Sequence, residues 1–227
     1  ESQWNLEKRF TGWSDIDLTD KGRAGAVKAG EIMKGAGVNF DEVHTSKLNR
    51  AIETAQLAQK GMSAQWVPLQ KFWRLNERCY GDLEGKKRED VAKEVGDDQV
   101  KIWRRSFDVP PPSLAVTDAR SPVKDPRYAD LDPRVIPASE SLKDVIARVG
   151  PYWTDQLRPA IKSGKTVLVV GHSTNLRALS AWIEPNLDEK ALQKLEIKNT
   201  KPILYEFDKN MNVICRKVLE PSTVKKE

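Results

Sequence analysis

The chain has 227 residues, of which 39% are hydrophobic and 31% charged, a composition typical of a soluble globular protein. Its length suits one large domain that buries a core without crosslinks. No stretch approaches the roughly 18 uninterrupted apolar residues of a membrane span, so we expect no membrane partner. The two cysteines, Cys79 and Cys215, lie far apart. This spacing argues against a disulfide framework or a zinc ribbon and favours a reducing compartment.

The formal net charge of +5 favours anionic partners. We nevertheless expect no nucleic-acid partner, because the sequence contains no zinc finger, RNA-recognition signature or long basic run, and only 7% of its residues are aromatic. The basic residues instead form short clusters, which on pattern alone are typical of solvated faces: Lys86-Lys87-Arg88, Arg104-Arg105 and Lys225-Lys226.

The first predicted elements follow one another as helix, strand and helix. From Asp15 to Gly37 a turn leads into a helical pattern, with Thr19 as the predicted N-cap. Residues Glu42 to Thr45 are predicted to form a short strand, and Leu48 to Leu57 a second helix. The recurring strand, turn and helix indicate a βαβ unit.

The middle of the chain is less regular. Residues 109–137 are rich in Pro, Asp and Arg and have little periodicity, which predicts an irregular surface insertion rather than a linker between domains. Active-site lids are often built this way. Helical spacing returns from Ser141 to Trp153 and is predicted to end near Pro159 after a broken segment.

The clearest strand runs from Thr166 to Val170, an apolar and β-branched stretch typical of a parallel strand covered on both faces. It ends at His172, before a helix predicted over residues 175–182. A histidine at the carboxyl end of such a strand lies where open α/β sheets bind ligands. Two final strands are predicted over Ile203 to Phe207 and Val213 to Leu219.

Several stretches, taken in chain order, resemble one family, and the resemblance covers nearly the whole chain. They are Glu1-Ser2-Gln3-Trp4-Asn5, Phe10-Thr11-Gly12-Trp13, Thr45-Ser46-Lys47-Leu48-Asn49-Arg50-Ala51, Trp73-Arg74-Leu75-Asn76-Glu77-Arg78, Trp103-Arg104-Arg105-Ser106-Phe107-Asp108-Val109-Pro110-Pro111-Pro112 and Glu140-Ser141-Leu142-Lys143. These resemble the cofactor-dependent phosphoglycerate mutases of the histidine phosphatase superfamily. The resemblance implies a single α/β domain over residues 1–227, a three-layer αβα sandwich with a mostly parallel central sheet.

The resemblance also implies an activity. The family interconverts 3-phosphoglycerate and 2-phosphoglycerate through a phosphohistidine that 2,3-bisphosphoglycerate primes. No metal is expected, because nothing in the chain resembles the clustered Asp and His ligands of metal-dependent mutases. Family members are commonly dimers or tetramers, so we expect a homo-oligomer. We expect it in the cytoplasm, and the sequence leaves open an organellar leader before residue 1.

The start of the sequence departs from the family. Glu1 and Ser2 resemble the end of an Arg-His-Gly-Glu-Ser motif whose histidine is the family's nucleophile. In the family a central strand precedes this motif, and its loss would leave two neighbouring strands with unpaired inner edges. We therefore expect this sequence to be a truncated mutase, which neither becomes phosphorylated nor converts substrate.

The resemblance assigns two catalytic residues, Glu77 as general acid and base and His172 as the second histidine at the transferred phosphoryl group. On sequence alone Glu77 would be part of a surface salt bridge and His172 a core histidine, as we expect His44 to be. The predicted substrate-binding residues are Asn5, Thr11, Gly12, Arg50, Arg78, Tyr80, Arg88, Arg104 and Arg105. Arg88 stands where the family usually has lysine.

Three further departures bear on activity. Cys79 stands where the family has histidine, and we expect a buried, inert thiol. The family's His-Gly-Asn-Ser becomes His172-Ser173-Thr174-Asn175, and its Pro-Thr-Gly-Ile-Pro becomes Lys198-Asn199-Thr200-Lys201-Pro202. Two alternatives therefore stay open: a non-catalytic descendant that binds phosphoglycerates or a protein partner, and a phosphatase or bisphosphoglycerate-making relative.

Overall fold

Three parallel strands form the centre of the molecule, in the spatial order β2-β1-β3. The computed structural model describes residues 1–221. The strands are β1 (Glu42–Thr45), β2 (Leu69–Lys71) and β3 (Val167–Val170). Val43 pairs with Leu69 on one side and with Leu168 on the other. The predicted βαβ unit is therefore present as β1, a helix and β2.

Nine α-helices surround these strands in residues 1–221. Their bounds are α1 (Gln3–Leu6), α2 (Asp20–Gly35), α3 (Asn49–Met62), α4 (Arg88–Val95), α5 (Asp97–Arg105), α6 (Leu142–Tyr152), α7 (Arg158–Lys162), α8 (Ser173–Ile183) and α9 (Glu189–Lys194). A π-helical turn (Trp153–Leu157) joins α6 to α7. None of these helices is long and apolar enough to span a membrane.

The two faces of the sheet carry separate hydrophobic clusters. Along β3, Val167 and Val169 pack against the cluster formed by α6, α8 and their neighbours. Leu168 and Val170 point the other way and pack against the cluster of α2 and α3. This alternation follows from the two-residue period of a strand. The result is the predicted α/β sandwich of three layers, with helices on both faces.

The last two strands form a separate antiparallel hairpin, β4 (Ile203–Phe207) with β5 (Val213–Val218). Within residues 1–221, β3 pairs only with β1 and β4 only with β5. A cavity of about 600 Å³ is lined by both β3 and β4. The prediction that β3 is covered on both faces is therefore confirmed. Its residues are nevertheless only half-buried, because the edge of β3 away from β1 has no partner strand among residues 1–221 and β3 borders this cavity.

Most predicted helices are found, with different bounds. Thr19 caps α2 by accepting a hydrogen bond from the Gly22 amide at 2.9 Å. α3 continues to Met62, beyond the predicted end, because Ala58 and Met62 face the core. The segment after α6 continues as a helix through the π-helical turn to Lys162, with Pro159 in the first turn of α7. Helices α4 and α5 and strand β2 were not predicted.

The irregular segment 109–137 contains three short 3-10 turns, Pro122–Lys124, Pro126–Tyr128 and Pro133–Val135. It is fixed to the sheet domain by buried aromatic packing of Tyr128 on Trp13, whose ring centroids are 4.9 Å apart. The Lys47 ammonium also donates to the Arg127 carbonyl at 2.7 Å. The basic pair Lys225-Lys226 lies outside the described residues.

A buried ion pair anchors the segment between β2 and α4. The Arg148 side chain is 5% exposed and donates to both carboxylate oxygens of Glu140, at 2.6 and 2.9 Å. Its guanidinium also donates to the carbonyls of Arg74 and Asn76, at 2.8 and 3.2 Å. Glu140 in turn accepts from the Cys79 amide at 2.9 Å. One pair of side chains therefore fixes the backbone on both sides of Glu77.

We expect Arg148→Met to lower the free energy of unfolding by about 3–5 kcal/mol, because it leaves the Glu140 carboxylate buried without its partner. Urea unfolding measures this loss. Arg134→Met is the matched control, since Arg134 pairs with Asp132 at an exposed surface site and its loss should leave stability unchanged. The double change Arg148→Met with Glu140→Leu should recover part of the loss. Equal free energies of unfolding for Arg148→Met and Arg134→Met would contradict this account.

Candidate active site

A cavity of about 360 Å³ lies at the carboxyl ends of β1 and β3. Its position follows from the topology, because the loops after parallel strands meet at one edge of the sheet. All but one of the predicted site residues line it: Asn5, Thr11, Gly12, Arg50, Glu77, Tyr80, Arg88, Arg104, Arg105 and His172. Arg78, the remaining one, donates to the Tyr80 hydroxyl at 2.8 Å and to the Arg104 carbonyl at 3.1 Å. The fold thus brings together residues from distant parts of the sequence.

The loop from Thr11 to Ser14 is held from two sides. Arg50 donates to the carbonyls of Gly12 and Ser14, at 2.7 and 2.8 Å. The buried Glu84 carboxylate accepts from the amides of Trp13 and Ser14, at 3.0 and 3.1 Å. Gly12 has φ of +55°, and an added Cβ would lie 2.0 Å from Glu84 Oε1. Only glycine therefore lets the loop approach this carboxylate.

Glu84 is the second carboxylate of this region and was not predicted. Burial raises its pKa, and the hydrogen bonds from Trp13, Tyr80 and Ser14 oppose that shift. Since the acid is fixed among backbone amides and does not line the cavity, its contribution is to hold the loop. Little in the sequence indicates that Glu84 belongs to this region, because a single glutamate between Leu83 and Gly85 forms no recognisable motif.

Glu77 is the carboxylate that faces the cavity, and its backbone is tightly fixed. Its carbonyl accepts from Trp13 Nε1 at 2.6 Å and from Arg148 at 3.1 Å. Its Oε1 accepts from the Arg78 amide at 2.7 Å, and Oε2 lies 3.5 Å from the Thr174 amide at the start of α8. The half-buried side chain is therefore held at the cavity wall, where it can exchange a proton with a bound hydroxyl group.

His172 is buried at the end of β3, where it precedes α8 and lines the cavity. Its Nε2 lies 2.9 Å from Ser46 Oγ, which also accepts from the Leu48 amide at 3.2 Å. Burial first, and then the positive charges of Arg50 and Arg148, lower the pKa of His172 well below its ordinary value. The imidazole is therefore neutral at pH 7. Ser46, which orients it, was quoted in the motif but given no role.

The other histidine lies outside the cavity, as expected for a packing residue. His44 is buried in β1, with Nδ1 2.6 Å from the Tyr152 hydroxyl and Nε2 3.2 Å from Glu42. Burial lowers the pKa of His44, and Glu42 partly offsets this. Cys79 is also buried. Burial, followed by the negative charges of Glu84 and Glu140, raises the pKa of this thiol well above its ordinary value, which makes it inert.

Positive charge accumulates at the cavity without compensation. Seven arginines elsewhere in the chain form ion pairs with carboxylates. Within residues 1–221, none forms at the six arginines in or beside the cavity, which are Arg50, Arg78, Arg88, Arg104, Arg105 and Arg177. Burial and the charges of Arg88, Arg105 and Arg78 lower the pKa of Arg104. The lining carries only two carboxylates, Glu1 and Glu77.

Three buried donors in this region have no hydrogen-bond partner among residues 1–221. They are Thr11 Oγ1, Arg78 Nε and Arg88 Nε. Buried donors are normally satisfied, because leaving one unpaired costs about 1–3 kcal/mol. Their grouping in or beside one basic cavity indicates that its ligand is an anion with several oxygens.

Asn5 lies at the cavity mouth, on α1. Its side-chain oxygen accepts from the Ser2 amide and hydroxyl, at 3.0 and 3.1 Å. The amide nitrogen of this side chain is therefore the atom that can face a ligand. No group of three or more His, Cys, Asp or Glu side chains in the described part of the chain is placed to hold a metal ion.

The lowered pKa of His172 has a consequence for stability. Between the low folded-state pKa and the ordinary value near 6.5, only the unfolded chain binds the proton. Stability should therefore fall as the pH drops below about 6.5, by up to ~1.4 kcal/mol per pH unit from this group. His172→Gln should make that slope shallower in urea unfolding between pH 8 and about pH 5. Burial also lowers the pKa of His44, so His44→Gln should make the slope shallower too, but by less than His172→Gln. An unchanged slope in His172→Gln would contradict this account.

Comparisons with known proteins fit this geometry. The model of the histidine phosphatase superfamily (branch 1) matches residues 1–218. The chain is 47% identical over 214 residues to the 2,3-bisphosphoglycerate-dependent phosphoglycerate mutase of Streptococcus thermophilus, which covers 94% of this chain and 93% of that relative.

Solved structures of low sequence identity share the fold. A mycobacterial glucosyl-3-phosphoglycerate phosphatase superposes with a TM-score of 0.72 at 20% identity, over 98% of this chain and 95% of that chain. The phosphoglycerate mutase of Bacillus anthracis str. Sterne gives a TM-score of 0.62 at 24% identity, over 88% of this chain and 81% of that chain. Together with the family match and the close relative, these findings establish that the chain belongs to branch 1 of the histidine phosphatase superfamily.

Proposed function

We propose that this protein is a phosphoglycerate mutase, which interconverts 3-phosphoglycerate and 2-phosphoglycerate. The observation that carries the proposal is the cavity around Glu77 and His172, where six arginines in or beside it form no ion pair with a carboxylate of residues 1–221. Such a site suits a small ligand with more than one anionic group. The Streptococcus thermophilus relative, named as a phosphoglycerate mutase, supports the same activity.

The cavity also fits 2,3-bisphosphoglycerate, which would supply the phosphoryl group that primes the reaction. Two phosphates and a carboxylate need donors at separate places, and the arginines come from separate elements. Arg50 and Asn5 would hold one phosphate beside His172. Arg78, Arg104 and Arg105, with the Tyr80 hydroxyl, would hold the opposite end of the ligand. The unpartnered donors Thr11 Oγ1, Arg78 Nε and Arg88 Nε support this fit.

His172 would act as a neutral hydrogen-bonding group. Its Nε2 is engaged by Ser46, and its Nδ1 forms no hydrogen bond within residues 1–221. Nδ1 is thus the nitrogen that can face a phosphate oxygen. The α8 N-terminus directly after His172 adds backbone N–H groups and the positive end of a helix dipole.

Glu77 would move the protons of the substrate hydroxyls. It is the one carboxylate of the cavity wall whose backbone is fixed by both Trp13 and Arg148. Neither described histidine is placed as the nucleophile, because His44 lies outside the cavity and Nε2 of His172 is bound to Ser46. In this proposal these residues would supply anion binding and proton transfer, and neither histidine would be the nucleophile.

We also propose that the protein forms a homo-oligomer and acts in the cytoplasm. Trp66 is 80% exposed, and the outer edge of the nearby strand β2 is unpaired among residues 1–221. Exposed edges of this kind are normally covered. The mass in solution, measured by analytical ultracentrifugation, should be that of a dimer or tetramer, and a monomer would contradict this.

The activity is tested by joining Glu1 to a preceding segment that ends in Arg-His-Gly, the motif that the family resemblance implies. With 2,3-bisphosphoglycerate present, we expect the joined protein to convert 3-phosphoglycerate to 2-phosphoglycerate in an enolase-coupled assay. Glu77→Gln in that protein should lower kcat by about 10²–10⁴-fold, because the proton acceptor is lost. Two controls should show no turnover. One is the joined protein with its nucleophilic histidine changed to alanine, and the other is the chain without the added residues.

Two other outcomes would overturn the mutase proposal. Release of inorganic phosphate from 3-phosphoglycerate without formation of 2-phosphoglycerate would identify a phosphatase. Tight binding of 3-phosphoglycerate by the joined protein without either product would identify a non-catalytic binding protein, since bound ligand shows that the site is folded.

A further inference from the structure

Arg177 is a cavity residue that the motifs did not assign. It lies on α8, one turn after His172, and is only 6% exposed. Its side chain lines the same cavity as Glu77 and Arg105. A buried arginine normally has a carboxylate partner, as Arg148 has in Glu140. Arg177 forms no ion pair within residues 1–221.

The contacts of Arg177 leave most of its guanidinium free. Its Nε donates to the Leu195 carbonyl at 3.0 Å. The two Nη groups, with four further N–H donors, form no hydrogen bond in the described part of the chain. Because two of its neighbours are also arginines, the local field is strongly positive. Burial, followed by the charge of Arg105, lowers the pKa of Arg177, and Arg78 adds to this against the opposing effect of Glu77.

The one hydrogen bond of Arg177 connects the cavity to its outer wall. Leu195 follows α9, and Ile197 to Thr200, shortly after it, line the cavity. The Nε bond therefore fixes the guanidinium plane and the start of this wall together. The Nη groups remain as free donors among residues 1–221, on a residue that lines the same cavity as Arg105.

We infer that Arg177 is a further substrate-binding residue, which binds the anionic group of the substrate farthest from the phosphate held by Arg50. This inference rests on the proposed function. Arg177 comes from α8, whereas Arg78 belongs to the segment after β2 and Arg104 and Arg105 to α5. The distal group, a carboxylate for 3-phosphoglycerate, is thus enclosed by donors from separate elements, which distinguishes substrates with two anionic ends from simple phosphates.

The alternative is that Arg177 only supports the wall through Leu195. The two roles differ in which ligands they affect. A distal binding group matters for 3-phosphoglycerate but not for inorganic phosphate, which needs only the Arg50 end. A purely structural residue would weaken both ligands alike or neither. Arg177→Lys keeps the charge but loses the planar fork, so it separates charge from geometry.

The test titrates 3-phosphoglycerate, and separately inorganic phosphate, into the chain of 227 residues and its variants by calorimetry. We expect Arg177→Met to weaken 3-phosphoglycerate binding about 10-fold or more, with the affinity for inorganic phosphate unchanged. Arg177→Lys should recover part of this loss. Arg158→Met is the matched control, because Arg158 is an exposed arginine on α7 that forms no ion pair with residues 1–221, and its loss should change neither affinity.

Arg104→Met serves as the reference variant and keeps the two proposals apart. One outcome would separate them: the unchanged chain binds 3-phosphoglycerate, Arg104→Met weakens that binding, and Arg177→Met does not. In that case the inference about Arg177 is wrong and the proposed function stands. If Arg177→Met weakened the binding of 3-phosphoglycerate and of inorganic phosphate equally and also lowered the thermal unfolding midpoint, the inference about Arg177 would be overturned. Arg177 would then only support the cavity wall. Failure of the unchanged chain to bind 3-phosphoglycerate would overturn the inference about Arg177, whereas the proposed function is decided by the enolase-coupled assay of the joined protein.

Discussion

The candidate site depends on one buried ion pair, Arg148 with Glu140. A single guanidinium satisfies the carbonyls of Trp73, Arg74, Asn76 and Glu77 together with a carboxylate that binds the Cys79 amide. This segment has no regular secondary structure after the short turn Trp73–Leu75, so its backbone groups need partners from elsewhere. Because Glu77 and Arg78 belong to it, the positions of the proposed proton carrier and of one anion-binding group follow from a bond made by α6.

A second constraint is electrostatic. Six arginines that form no ion pair in the described part of the chain are gathered around one cavity, and several are buried. Such an arrangement costs free energy in the unliganded protein, because like charges repel and desolvated cations lack counterions. Arg148 shows what the same side chain does when stability alone matters, since it has Glu140 within 2.6 Å. The contrast separates arginines that stabilise the fold from arginines held ready for an anion.

Much of this could be predicted from the sequence. Strand β1 has the predicted bounds, because four buried residues in a row before a turn have few alternatives. Helix α2 was found through its cap, Thr19, a local signal. Strand β2 was missed because only one of its three residues is apolar. α4 and α5 were missed because they are mostly polar, with Val91 and Val100 as their only buried residues.

The site divides in the same way. The sequence by itself determined the α/β class, the motif residues and their chemical types, since these depend on local periodicity and on the identity of a few side chains. Only the tertiary structure decided that Arg177 and Glu84 belong to the region, that Arg148 supports Glu77, and that His172 is neutral. These properties arise from contacts between residues far apart in the chain and from the loss of water around them, and no local pattern encodes either.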